Sequence, residues 1–132
     1  MSFSKLRRRA LKAGYRSGLE EDTAKFLKKN KVSFQYELLK IKWTDLRIRT
    51  YTPDFVLPNG IIIETKGRFI ASDRSKHLTI RKQYGDTYDI RFIFSNSKAR
   101  LYKGSKTTYA MWCDKHGFLY ADKEIPQEWL KE

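Results

Sequence analysis

Apolar and polar positions alternate with a readable period along most of this chain. Leu19, Thr23, Phe26 and Leu27 recur at helical spacing behind a good N-cap, Ser17, which predicts a helix over 18–29. Ser17-x-x-Glu20 has the form of a capping box, with Glu20 folded back on the Ser17 amide. Residues 33–37 alternate around Phe34 and Tyr36, and 39–43 continue that strand or begin another. Over 44–51, Leu46, Ile48 and Thr50 alternate with Asp45, Arg47, Arg49 and Tyr51. Such an extended piece, with one charged face and few turn residues, is an edge strand or a connector paired outside its own domain. A second helix is predicted from just after Ser72 to about Tyr84, with Gly85 as its stop. Residues 89–94 read as a strand with Ile90, Phe92 and Phe94 on one face, and 95–104 as a polar, basic loop. A third helix over 108–115 ends at Gly117, 118–121 form a short strand, and Pro126 opens a last helical turn. This order predicts an α/β domain, a small mixed β-sheet flanked by helices.

The segment 52–66 carries the chemistry. Asn59-Gly60 alone would suit a two-residue turn, which would send Asp54 and Glu64 to opposite faces. Pro58 and Gly60 favour instead a three-residue Pro-Asn-Gly loop with Gly60 left-handed. Leu57 then pairs with Ile61 and Asp54 with Glu64, and Lys66 follows on the same face. Carboxylate oxygens are suitable ligands for a hard cation such as Mg²⁺, which can polarise a phosphate and activate a bound water. Lys66 would orient the attacking water or neutralise charge on phosphate. Two carboxylates beside a lysine can equally be a salt-bridged surface edge; Pro53-Asp54 upstream and the apolar hairpin between them favour the metal-dependent nuclease.

Composition narrows the partners. The 132 residues suffice for one domain with a modest core, and no apolar run reaches membrane-spanning length. The basic start lacks the apolar stretch of a signal peptide, and the single Cys113, read as buried and inert, suits a reducing cytoplasm. A net charge of +13 points to a polyanion. Residues 1–16 hold Arg7, Arg8, Arg9, Lys12 and Arg16 and no acid, which reads as a flexible basic arm making phosphate contacts ahead of a nuclease domain over 17–132. Lys76 and Arg81 on the second helix are further candidates for phosphate. His77 on that helix reads as a packed or surface histidine, outside the catalytic set.

An acid on the first helix, Pro53-Asp54 on one strand and Glu64-x-Lys66 on the next form the PD-(D/E)xK nuclease pattern. More narrowly, the chain resembles the phage endonuclease I family, the junction-resolving enzymes of T7-like phages. The likeness rests on Arg16-Ser17-Gly18-Leu19-Glu20, Tyr51-Thr52-Pro53-Asp54-Phe55, Leu57-Pro58-Asn59-Gly60, Glu64-Thr65-Lys66-Gly67, Lys76-His77-Leu78, Leu101-Tyr102-Lys103-Gly104-Ser105, Lys115-His116-Gly117 and Ala121-Asp122-Lys123. The resemblance implies a restriction-endonuclease-like core. It also implies a Mg²⁺- or Mn²⁺-dependent endonuclease, working in a host cell's cytoplasm, that nicks four-way DNA junctions symmetrically and attacks other branched DNA. It further implies an intertwined homodimer in which 44–51 bridges the halves. Glu20, Asp54 and Glu64 would then bind metal and Lys66 would be the catalytic lysine, with Glu20 supplied by the opposite chain. A nicking nuclease on linear duplex and a non-catalytic basic DNA-binding protein are the competing readings.

Overall fold

The Leu57 amide donates to the Ile61 carbonyl at 2.9 Å, and the Gly60 amide returns to the Leu57 carbonyl at 2.9 Å. Gly60 takes φ +89°, a left-handed value that a side chain would strain. This is the three-residue loop expected from Pro58 and Gly60. Its register pairs Phe55 with Ile63 and Val56 with Ile62, so Asp54 stands opposite Glu64. Asn59 locks the turn by accepting the Ile61 amide at 3.1 Å.

The computed structural model describes residues 14–44 and 47–132. Arg7, Arg8, Arg9 and Lys12 of the expected arm lie outside them. A five-stranded sheet forms the centre, in the order β1 (Gln35–Tyr36), β4 (Phe55–Val56), β5 (Ile62–Lys66), β6 (Ile90–Phe94), β7 (Tyr120–Asp122). β1, β4 and β5 pair antiparallel, whereas β5, β6 and β7 pair parallel. Parallel neighbours need a crossover. Helix α2 (Ala71–Tyr84) supplies one between β5 and β6, and α3 (Tyr109–His116) supplies the next. The mixed sheet expected from the element order is thus present.

Alternation along β5 divides the interior. Ile61 and Ile63 join Ala24 and Leu27 of helix α1 (Gly18–Lys29), together with Phe55, Leu57, Ile93, Ile125 and Trp129. Ile62 faces the other way, against Ile80 of α2 and Ile41, Trp43 and Tyr51. Glu64, two residues on, follows Ile62 towards α2. A third cluster, of Phe69, Phe92, Phe94, Tyr109, Trp112, Cys113 and Phe118, seals α3 to the sheet. Cys113 is buried within it, and burial raises its thiol to about 12, so it is inert as expected. Helix α4 (Gln127–Leu130) is the final turn.

The segment expected as a bridge begins in one strand and ends in another. β2 (Ile41–Thr44) pairs antiparallel with β3 (Ile48–Tyr51) of the same chain, and residues 45 and 46 between them lie outside the described residues. Gln83 of α2 accepts the Thr44 amide at 2.9 Å and ties this pair to the domain.

Candidate active site

Because β4 runs against β5, the start of one lies beside the end of the other. Asp54 immediately precedes β4, and Glu64 and Lys66 close β5, so all three collect at one sheet end. β1 adds another acid by register. Tyr36 pairs with Phe55, and the Glu37 amide then donates to the Asp54 carbonyl at 3.1 Å. Glu20 arrives from the first turn of α1.

The helix start holds Glu20 in an unexpected way. Ser17 caps as expected, its Oγ accepting the Glu20 amide at 3.1 Å. The Glu20 carboxylate does not return to the Ser17 amide, however. It accepts the Arg16 amide at 3.2 Å and the Tyr36 hydroxyl. The capping box is therefore half formed, and its acid half is turned towards the sheet end.

Glu20, Glu37 and Asp54 each offer an oxygen, and these atoms lie within 4.8 Å of one another. With magnesium–oxygen distances of about 2.1 Å, octahedral ligands stand about 3.0 to 4.2 Å apart, so a small contraction would let this trio grip one ion. Every donor is oxygen, which fits a hard cation and disfavours soft metals. Asp54 Oδ2 is occupied by the Thr65 amide at 2.9 Å and the Thr65 hydroxyl at 2.8 Å. That leaves Oδ1 as the oxygen available to a ligand. Glu64 is not among the three; its Oε1 accepts the Asp54 amide at 3.2 Å, directly behind Asp54. Lys66 Nζ lies 3.4 Å from Asp73 Oδ1, and Asp73 also accepts the Ile70 amide at the head of α2.

Electrostatics mark the site as short of positive charge. Burial, and next the charge of Glu64, push Asp54 up to about 8 against the two Thr65 donors. Burial and the Asp54 charge likewise raise Glu20, in spite of its donors Tyr36 and Arg16. Clustered carboxylates that resist ionisation are the arrangement a divalent cation relieves.

The model of the phage endonuclease I family matches residues 1–132. The chain belongs to the phage endonuclease I family. It is 50% identical over 119 residues to Endonuclease I of Escherichia phage T7, covering 89% of this chain and 79% of that protein. It is 51% identical over 119 residues to Endodeoxyribonuclease 1 of Enterobacteria phage T3, covering 89% of this chain and 78% of that relative.

The remaining cations of this family member are dispersed. Arg16 sits at the mouth of the carboxylate cluster, 3.4 Å from Glu37. A cleft of about 880 Å³ opens beside it, lined by Arg16, Ser17, Gly67, Arg68 and Lys123 among others. Lys76 lies over the Tyr51 ring at 5.1 Å. Arg81, about two helical turns beyond Asp73, stacks on Phe118 at 4.4 Å and donates to the His116 carbonyl at 3.0 Å. Glu37, Asp73, Arg68 and Lys123 were missed in the sequence. Glu37 ends a stretch that reads as a strand, but only the pairing of that strand with β4 sets it beside Asp54.

Among the described residues no helix is long and apolar enough to cross a membrane.

Proposed function

We propose that this chain is a divalent-metal-dependent endodeoxyribonuclease that resolves four-way junctions and other branched DNA by hydrolysing phosphodiester bonds. The observation that supports it most is the convergence of Glu20, Asp54, Glu64 and Lys66 at one sheet end, within a family whose relatives carry endonuclease names. Mg²⁺, with Mn²⁺ as substitute, would polarise the scissile phosphate and raise the acidity of a bound water. Asp54 Oδ1, Glu20 and Glu37 would hold the cation, and Thr65 fixes the Asp54 rotamer. Glu64 stands behind Asp54 and completes the negative wall. Lys66, steadied by Asp73, stabilises charge on the phosphate as it is attacked or orients the water. Arg16, Arg68 and Lys123 line the approach, where they would meet backbone phosphates without reading bases.

The working unit in this reading is a homodimer. In the single chain Glu20 and Asp54 already meet. Joining β2 and β3 into one continuous strand would carry residues 14–44 to a partner and rebuild the same contacts there, with Glu20 crossing between chains. Two basic clefts related by a twofold axis would then suit the paired arms of a junction. The test is cleavage of a four-way junction and of its linear arms at moderate salt, with Mg²⁺ and with chelator. Paired metal-dependent nicks near the branch point are expected, lost in Asp54→Ala with junction binding kept. Equal cutting of both substrates would reduce the enzyme to a general duplex nuclease, and binding without cutting would remove the enzyme reading.

A further inference from the structure

Behind the carboxylates lies a pair of buried polar side chains that hydrolysis, as described, leaves unused. Tyr51, the last residue of β3, is 2% exposed, and His77, on the inner face of α2, is 0% exposed. Their rings meet edge-on at 5.2 Å, and His77 meets Phe92 edge-on at 4.9 Å. Neither nitrogen of His77 nor the hydroxyl of Tyr51 has a hydrogen-bond partner among the described residues. Buried polar atoms left unpaired destabilise the fold. Three of them side by side call for a physical reason.

They share one acceptor. His77 Nε2 lies 3.5 Å from Glu64 Oε2, long for a formed hydrogen bond, and has no other partner among the described residues. The Glu64 carboxylate is also the charge that acts most strongly on the Tyr51 hydroxyl. Its other oxygen is engaged by the Asp54 amide, so Oε2 is the one facing α2 and β3.

We propose that His77 and Tyr51 are positioning residues, donating to Glu64 from behind and holding its carboxylate against Asp54, the residue that faces the cation. The inference rests on the cation-dependent reading above. A proton on Nε2 faces Glu64 Oε2, while Oε1 holds the Asp54 amide, so the imidazole would fix the carboxylate that braces Asp54. Hydrogen bonds at empty catalytic sites are commonly long and tighten on loading. Groups that orient the carboxylates of a metal site are worth roughly 10–100-fold in affinity or activity.

The experiment uses the full chain and the variants Tyr51→Phe, His77→Phe and His77→Gln. Mn²⁺ affinity is measured by calorimetry without DNA, and kcat and KM by junction cleavage. Tyr51→Phe and His77→Phe are expected to weaken Mn²⁺ binding about tenfold or more and to lower kcat with little change in KM. His77→Gln, whose amide nitrogen reaches the position of Nε2, should recover most of both. Wild-type affinity and kcat in Tyr51→Phe and His77→Phe would overturn the proposal and leave His77 as core packing. Should His77→Phe fail to fold, Tyr51→Phe decides alone, since it removes one oxygen and no packed carbon. Binding of Mn²⁺ by wild type and its loss in Asp54→Ala separate the two readings: with that control satisfied, unchanged variants sink only this inference. A wild-type chain that takes up no Mn²⁺ overturns both.

Discussion

Replacing Asp54 by asparagine should stabilise the metal-free protein while destroying its activity. The carboxyl is 8% exposed, and burial beside Glu64 lifts it from 3.8 to about 8. Four tenfold steps in acidity at about 1.4 kcal/mol each set an upper bound of roughly 6 kcal/mol on the cost of ionising it in the folded chain. The folded state binds the proton more tightly than the unfolded state, so this cost is absent below about pH 4. It grows as pH rises and is complete above about pH 8. Asparagine avoids it and keeps an oxygen for Thr65, although a neutral acceptor forgoes about 1 kcal/mol there and the amide must share space with Glu64. A net gain of about 1–3 kcal/mol at pH 8.5 is expected, or on the order of 3–10 °C in Tm for a domain of this size. The gain should shrink towards zero or reverse near pH 4. Thermal melts in chelator across pH 4–9 provide the assay, with Mg²⁺ added at pH 8.5 as the counterpart: wild type should gain stability and the variant should not. A variant less stable than wild type at pH 8.5, or a difference independent of pH, would refute the claim that Asp54 is a strained acid awaiting a cation.

Other outcomes follow from single contacts. Gly60→Ala should cost about 1 kcal/mol in urea unfolding, entirely from its positive φ, since an added Cβ meets nothing within 4 Å; a neutral result would contradict the left-handed turn. Tyr36→Phe removes the hydroxyl that bonds Glu20 and accepts the Arg16 amide. It should lower stability by about 1 kcal/mol and weaken Mn²⁺ binding, and unchanged affinity would mean Glu20 is held without it. Dimers mixed from Glu20→Ala and Asp54→Ala chains should regain one working site and nick a single strand of a junction, because a crossed Glu20 puts both defects in the other site. Mixed dimers as inactive as their parents would show that each site is built within one chain.

The local parts of this structure were legible and the long-range ones were not. Pro58 and Gly60 announced the loop type, which fixed the facing of Asp54 and Glu64. Ser17 announced the helix start. Glu20 misled because the partners that turn its carboxylate away from Ser17 include Tyr36, on a strand whose pairing no local pattern reports. That same pairing brings Glu37 to Asp54. In the second helix the many cations obscured the inner stripe of Asp73, His77 and Ile80, spaced one turn apart, and only the crossover from β5 to β6 shows that this stripe lies over Glu64. The stretch 44–51 read as an edge strand or a connector paired outside its own domain; Ile48–Tyr51 does form a strand, and its partner in this chain is Ile41–Thr44.

Diffraction from crystals soaked in Mn²⁺, recorded for the anomalous signal of manganese, tests the central claim most directly. The account predicts a peak bounded by Asp54 Oδ1, Glu20 and Glu37, with Glu64 behind it, and no peak there in Asp54→Ala crystals. Manganese bound elsewhere, or a wild-type site left empty at millimolar Mn²⁺ with DNA still cut, would contradict it.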